Sequence, residues 1–215
     1  MNLIFLGPPG AGKGTIAKRL LDRFSLLQIS TGDLFRENIK GQTEVGMKAK
    51  GFMDRGELVP DGIVIEMLKG RIAQDDCKGG VILDGFPRTI PQAEALAADS
   101  SVTIDKVVNF VVPDDVVVSR LCGRRICPTC GRIYHTVNMP PKVEGVCDDD
   151  GVALIQRDDD QPDAIQHRLV VYRDQTEPLI AFYRSRGMLA DIDGALPDVG
   201  AIVESAALIL EQLQG

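Results

Sequence analysis

The sequence predicts an α/β fold, a five-stranded parallel sheet flanked by helices on both faces. Two observations carry this. Short apolar runs, mostly β-branched, recur at 2–6, 26–29, 81–84, 106–112 and 188–192, with helix-period segments between them. Alternation of that kind produces parallel pairing, with helices covering both faces and ligands bound at the carboxyl ends of the strands. In addition, 215 residues suit one sizeable α/β domain carrying an insertion better than two full domains.

The first run, Leu3-Ile4-Phe5-Leu6, leads into Gly7-Pro8-Pro9-Gly10-Ala11-Gly12-Lys13-Gly14-Thr15 and then Ala17-Lys18-Arg19-Leu20-Leu21. Strand, glycine loop and helix follow in that order. The loop's N–H groups can point at a phosphate chain, the helix start adds its positive dipole end, and Lys13 can reach the β- and γ-phosphates of a nucleoside triphosphate. In the general pattern Ser or Thr follows the lysine. Here Gly14 does, with Thr15 one place later. The first hydroxyl that could serve Mg²⁺ is displaced, so water is expected to mediate much of the metal contact.

The second run is followed by 30–59, polar, glycine-punctuated and predicted helical, a small inserted lobe. A helix over 61–77 opens at Pro60-Asp61. The third run ends at Asp84, beside the loop-bearing strand, where a carboxylate can orient Mg²⁺ through its waters or cap the following turn. After the fourth run, 125–161 holds Cys127, Cys130, Cys147, Pro140-Pro141 and an acidic cluster, which suggests a small separate subdomain. A helix over 161–186 is expected to kink or break at Pro178, and 199–213 reads as a last amphipathic helix. Both insertions flank the loop-bearing end of the sheet.

Cys127-Pro128-Thr129-Cys130 has the spacing that lets two thiolates converge on one tetrahedral ion, and Cys147 with Asp150 repeats it seventeen residues on. A Cys₃Asp zinc site is expected from Cys127, Cys130, Cys147 and Asp150, with His135, Asp148 or Asp149 as alternatives to Asp150. Cys77 and Cys122 fall on predicted helices outside the cluster and receive no function. An odd count of five cysteines suits thiols or metal ligands better than a disulfide framework.

The 24 Lys+Arg against 31 Asp+Glu, a formal charge of −7, argue against a polyanion-binding surface, so nucleic acid is not an expected partner. No apolar run approaches the roughly 18 residues of a membrane span. A cytoplasmic protein is expected.

Several motifs in order resemble the adenylate kinases of the bacterial long-lid type, over nearly the whole chain: residues 7–15, Ser30-Thr31-Gly32-Asp33-Leu34-Phe35-Arg36, Leu83-Asp84-Gly85-Phe86-Pro87-Arg88-Thr89, Gly123-Arg124-Arg125 and Arg157-Asp158-Asp159-Asp160. The resemblance implies a P-loop kinase that moves the γ-phosphoryl of MgATP to AMP, giving two ADP, reversibly. It divides the chain into a core (1–29, 60–124 and 162–215), an AMP-binding lobe (30–59) and a metal-binding lid (125–161), and so self-contained an architecture suggests a monomer. Zinc-bearing lids of this kind take cysteine or aspartate as fourth ligand, so Asp150 fits.

By the resemblance, Lys13, Asp84, Arg88, Arg124, Arg157 and Arg168 are catalytic. ATP meets Gly10, Ala11, Gly12, Lys13, Gly14, Thr15, Arg124, Ile133, Tyr134 and Leu196. AMP meets Thr31, Arg36, Glu57, Leu58, Val59, Gly85, Phe86, Pro87, Arg88, Gln92, Arg157 and Arg168. Leu196 departs from the polar residue often found there. Gln92 is suited to reading the adenine edge, since a carboxamide both donates and accepts. The residue chemistry agrees independently, because phosphoryl transfer is catalysed mainly by positioning and cationic stabilisation, for which forked guanidinium groups suit phosphate. A phosphate acceptor is largely deprotonated at neutral pH, so no general base is required. The rivals are another monophosphate kinase acting on UMP, CMP or GMP, and a zinc-ribbon P-loop ATPase switch.

Overall fold

The computed structural model describes residues 1–214. β1 (Asn2–Leu6) is buried on both faces from Leu3 onward, as expected of a central parallel strand. The chain turns through the glycine loop into α1 (Lys13–Phe24), which packs Ile16, Ala17, Leu20 and Phe24 on the sheet. β2 (Leu27–Ser30) follows, then α2 (Thr31–Lys40) and α3 (Glu44–Asp54), capped by Ser30 and Thr43, whose hydroxyls accept N–H bonds from Asp33 and Gly46. α4 (Asp61–Ile72), β3 (Val81–Asp84), α5 (Ile90–Ala97), β4 (Lys106–Val111) and α6 (Asp114–Gly123) complete the first half.

Beyond them, β5 (Arg124–Ile126) and β6 (Ile133–His135) form a separate antiparallel pair. α7 (Pro162–Val171), α8 (Pro178–Arg184), β7 (Leu189–Asp193) and α9 (Val199–Glu211) return the chain to the sheet.

The main sheet runs β2-β3-β1-β4-β7, every pair parallel. The five expected strands are all present, β2 and β7 one residue further along than the apolar runs suggested. β1 lies at the point where the winding reverses direction, so its carboxyl end opens into the crevice where such sheets bind ligands. One apolar layer joins the sheet to α1, α6, α7 and α9 through Leu20, Leu121, Ile165, Leu169 and Leu210. The other joins it to α4, α5 and α8 through Leu68, Phe86, Leu96, Leu179 and Tyr183. Full burial of each such side chain stabilises the fold by roughly 1.5–3 kcal/mol.

The predicted helix 61–77 stops at Ile72. Asp75 and Asp76 would sit at its negative dipole end. Instead they open a 3₁₀ turn, Asp75–Gly79, where acidic residues are favoured, and Arg71 forks onto Asp76 with two bonds of 2.8 Å. The last helix ends at Glu211 rather than 213. The predicted helix 161–186 is divided as expected near Pro178. Proline lacks an N–H and its ring crowds the carbonyl four residues back, and a wide π-type turn over Tyr172–Thr176 absorbs the mismatch between α7 and α8.

α2 and α3 pack closely because Gly46 has no side chain: a Cβ there would lie 2.3 Å from the Asn38 carbonyl group. Residues 125–161 have a much smaller apolar cluster, with Cys127, Tyr134 and Cys147 buried and Val152 and Leu154 packed against them.

Candidate active site

A cleft of about 1030 Å³ opens at the carboxyl ends of β1 and β3, between the glycine loop, the α2–α3 segment and the β5–β6 segment. The loop is shaped by Gly10 (φ 76°) and Gly12 (φ 88°), a backbone conformation that side chains disfavour, so that α1 begins directly behind it. Lys13 Nζ donates to the Gly7 and Pro8 carbonyls at 2.7 and 2.8 Å. Burial in the cleft wall pushes Lys13 down to about 8; Asp84 opposes this, while Arg88, Arg168 and Arg124 add to it.

Asp84, at the end of β3, accepts a bond of 3.1 Å from Gln28 Nε2. Burial raises its pKa against the pull of Lys13 and Arg88. A Cβ on Gly14 would lie 3.1 Å from Asp84 Oδ2 and press on the carboxylate. Glycine directly after the lysine leaves that carboxylate room, and the first hydroxyl follows at Thr15.

Lys13, Arg36, Arg88, Arg124, Arg157 and Arg168 all line this one cleft. Among the described residues the Arg88 guanidinium donates only to the Gly85 carbonyl in its own turn, 2.8 Å away, and burial followed by Arg168 pushes it down to about 10. Arg157 is likewise pushed down to about 10, by burial and then by Arg36 and Arg124. Arg168 is lowered chiefly by burial. Burial against like charges disfavours the protonated state that these side chains would use, an arrangement stabilised by a polyanion between them.

Carboxylates hold part of the cluster in place. Asp160, fully buried, takes a forked pair of bonds from Arg124 at 2.7 and 2.5 Å and one from Arg168 at 3.2 Å. Arg168 also donates to the Asp159 carbonyl at 2.8 Å, and Arg36 to Asp33 at 2.5 Å. For Asp33, burial acts upward but Arg36 outweighs it and the pKa falls.

A second constellation lies in 125–161. The ligand atoms of Cys127, Cys130, Cys147 and Asp150 all fall within 4.8 Å of one another. Cys130 Sγ and Cys147 Sγ are 3.8 Å apart, and Asp150 Oδ2 lies 3.0 Å from Cys127 Sγ and 3.7 Å from Cys147 Sγ. Sulfur ligands about 2.3 Å from a tetrahedral zinc stand about 3.8 Å apart, so the donor set fits such an ion. The alternatives are engaged elsewhere. His135 Nδ1 accepts from the Val137 and Asn138 N–H groups, Asp148 from the Lys142 N–H, and Asp149 pairs with Arg132 at 2.5 Å.

A family model described as adenylate kinase matches residues 5–188. The chain belongs to the adenylate kinase family. An adenylate kinase of Oceanobacillus iheyensis is 51% identical over 215 residues, covering 99% of this chain and 100% of that one. One from Archaeoglobus fulgidus is 50% identical over 217 residues and covers 100% of both. One from Caldicellulosiruptor saccharolyticus is 56% identical over 197 residues, 90% of this chain and 92% of that one. As an adenylate kinase, the chain is an enzyme of the phosphotransferase class.

Among the residues that the adenylate kinase resemblance assigned to nucleotides, Gly10, Ala11, Gly12, Gly14, Thr15, Ile133, Tyr134 and Leu196 border the cleft, as do Thr31, Glu57, Leu58, Val59, Gly85, Pro87 and Gln92. Phe86 stands apart from them: its ring is buried in the core layer that includes α4 and α5, where an aromatic side chain gains more than in a polar cleft. Tyr134 reaches the cleft but turns its hydroxyl to within 3.5 Å of Cys147 Sγ.

Sequence reasoning missed Arg120, His135 and Asn138, which also line the cleft. It also left Asp160 without a role. In the sequence, Asp158-Asp159-Asp160 resembles a solvated acidic run, and only the arginines before and after it hinted at pairing.

Proposed function

We propose that this adenylate kinase transfers the γ-phosphoryl of ATP to AMP, giving two ADP, reversibly, through the residues brought together in the cleft. The observation that carries the reading is the convergence of Lys13, Arg36, Arg88, Arg124, Arg157 and Arg168, with Arg19 and Arg120 beside them, on one cavity that is bounded by a phosphate-type loop on one side and by the α2–α3 segment on the other. In the loose transition state of phosphoryl transfer, charge spreads over the equatorial oxygens, so fixed cations around the moving group lower the barrier.

The roles follow from position. Backbone N–H groups of Gly10 to Thr15 and Lys13 hold the donor phosphates. Arg124 joins them from the β5 side, Arg36 and Arg88 hold the acceptor phosphate, and Arg157 and Arg168 span the two. Residues 30–59 act as the acceptor lobe, with Thr31, Gly85, Pro87, Gln92 and the 57–59 backbone around the base. Residues 125–161 act as a lid that excludes water, so that ATP is not lost to hydrolysis; Ile133, Tyr134 and Leu196 then flank the donor nucleotide. Lys13 exchanges its two loop carbonyls for phosphate oxygens. The acceptor oxygen is already deprotonated and needs no base.

Asp84 and Thr15 are the residues that would hold Mg²⁺ through its waters. When bound, Mg²⁺ offsets phosphate charge. Cys127, Cys130, Cys147 and Asp150 would hold zinc, whose ligation supplies folding energy to a segment with a small core. The reading includes a cytoplasmic monomer. Its cytoplasmic part is supported by free thiols gathered as metal ligands rather than paired in disulfides. Among the described residues no helix is long and apolar enough to cross a membrane.

The test is ADP formation from MgATP with AMP, UMP, CMP or GMP, alongside ATP alone. Fast turnover with AMP and none with ATP alone is expected. Preference for another monophosphate moves the acceptor assignment, and ATP loss without any acceptor overturns the transfer reading.

A further inference from the structure

We propose that Asp61 is a positioning residue that decides which purine the acceptor pocket takes, by locking the side-chain amide of Gln92 in one orientation. This rests on the reading that AMP is the acceptor and adds the device that would select its base.

Gln92 lines the cleft yet is only 1% exposed, because both ends of its carboxamide are engaged. Its Oε1 accepts from the Arg88 backbone N–H at 2.8 Å, and its Nε2 donates to Asp61 Oδ1 at 2.7 Å. A backbone N–H only donates and a carboxylate only accepts. The reversed amide would set N–H against N–H at Arg88 and oxygen against oxygen at Asp61, losing both bonds. Thr89 reinforces the arrangement: its hydroxyl donates to the same Asp61 oxygen at 3.1 Å and accepts the Gln92 N–H at 3.3 Å. The starts of α4 and α5 are thereby tied together behind the pocket.

One lone pair on Oε1 and one N–H on Nε2 remain for a ligand. Adenine presents a 6-amino donor beside the N1 acceptor, which meet that oxygen and that N–H. A 6-oxopurine presents the reverse, an acceptor beside an N1–H donor. A freely turning amide reads both by flipping, whereas a locked amide accepts one and opposes the other. Sites that hydrogen-bond a substrate group through buried polar atoms discriminate in this way far more sharply than apolar pockets do.

The experiment measures kcat and KM with AMP and with IMP as acceptors for the wild type and for Asp61→Asn, with thermal melting of each. Asparagine can offer Gln92 either a donor or an acceptor, so the wild-type preference for AMP over IMP in kcat/KM should fall by about tenfold, mainly through a lower KM for IMP. A purely structural role lowers turnover with both acceptors together and leaves their ratio alone. A ratio within twofold of the wild type's in a folded variant overturns the proposed role of Asp61, since the Arg88 N–H then suffices to hold the amide, but not the AMP reading. Absence of AMP-dependent turnover in the wild type overturns both.

Should Asp61→Asn fail to fold, the wild type itself is compared with IMP and with the analogue of AMP lacking the 6-amino group. The locked amide loses one bond with the analogue and meets two opposed pairs with IMP, so IMP should be the poorer acceptor by about tenfold or more. IMP performing as well as the deaminated analogue overturns the proposal.

Discussion

Lys13 shows how one residue's environment fixes the conditions under which it works. In the protein its pKa is pushed down to about 8, chiefly by burial, against 10.5 for an ordinary lysine. A bound triphosphate favours the charged form and pushes it back up, so between about pH 8 and 10.5 nucleotide binding takes up a proton. Affinity for a non-hydrolysable ATP analogue should therefore fall as pH rises above about 8, by up to tenfold per pH unit, with little change from pH 7 to 8. Calorimetric titrations at several pH values check this, and a flat affinity up to pH 9.5 contradicts it. For stability the sign is the opposite: over the same window the unfolded chain keeps the proton that the folded chain releases, so folding without nucleotide strengthens as pH rises. At this scale the sequence was legible where chemistry and spacing coincide, as in Lys13, Arg88 and the three cysteines. It was opaque where burial decides. Asp160 holds two arginines because it is fully enclosed, and nothing in an acidic triplet distinguishes it from a solvated neighbour.

Two elements depend on a single close contact or a single cluster. The α2–α3 pair depends on Gly46, where a methyl group would meet backbone rather than a flexible side chain. Gly46→Ala should force the helices apart and destabilise the lobe by about 1–3 kcal/mol, the usual range for overpacking. In kinetics it should raise the KM for AMP more than that for ATP; equal effects on both would separate the lobe from acceptor binding. The β5–β6 segment has only a small apolar cluster, so its fold should depend on the metal ligands. Cys130→Ser is expected to lower the melting temperature and abolish bound zinc while turnover at moderate temperature changes less. Unchanged melting, with metal absent from both proteins, removes the structural role. The strands were legible because parallel pairing demands continuous apolar runs. Helix ends were less so, since Arg71 and Asp76 meet only once α4 has stopped, and the width of the turn before Pro178 depends on packing between α7 and α8.

For the whole molecule, the strand order places the glycine loop, Asp84 and the β2–α2 junction at one end of the sheet; the two insertions add Arg36 and Arg157, while Arg88, Arg124 and Arg168 come from the rest of the chain. Topology thus assembles one charged cleft from motifs far apart in sequence, on a chain whose formal charge is −7. Net charge excluded a polyanion-binding surface and was silent about this local reversal, which the motifs alone disclosed. The central claim is that fixed cations in the cleft lower the barrier to phosphoryl transfer. Arg88 tests it most directly, because among the described residues its guanidinium has no carboxylate partner to lose and donates only to its own turn. The measurement is steady-state turnover of Arg88→Ala with MgATP and AMP, beside its melting curve. A fall in kcat/KM of about 10²–10³ with melting unchanged is the result the cleft predicts. Turnover within threefold of the wild type in a folded variant would contradict it.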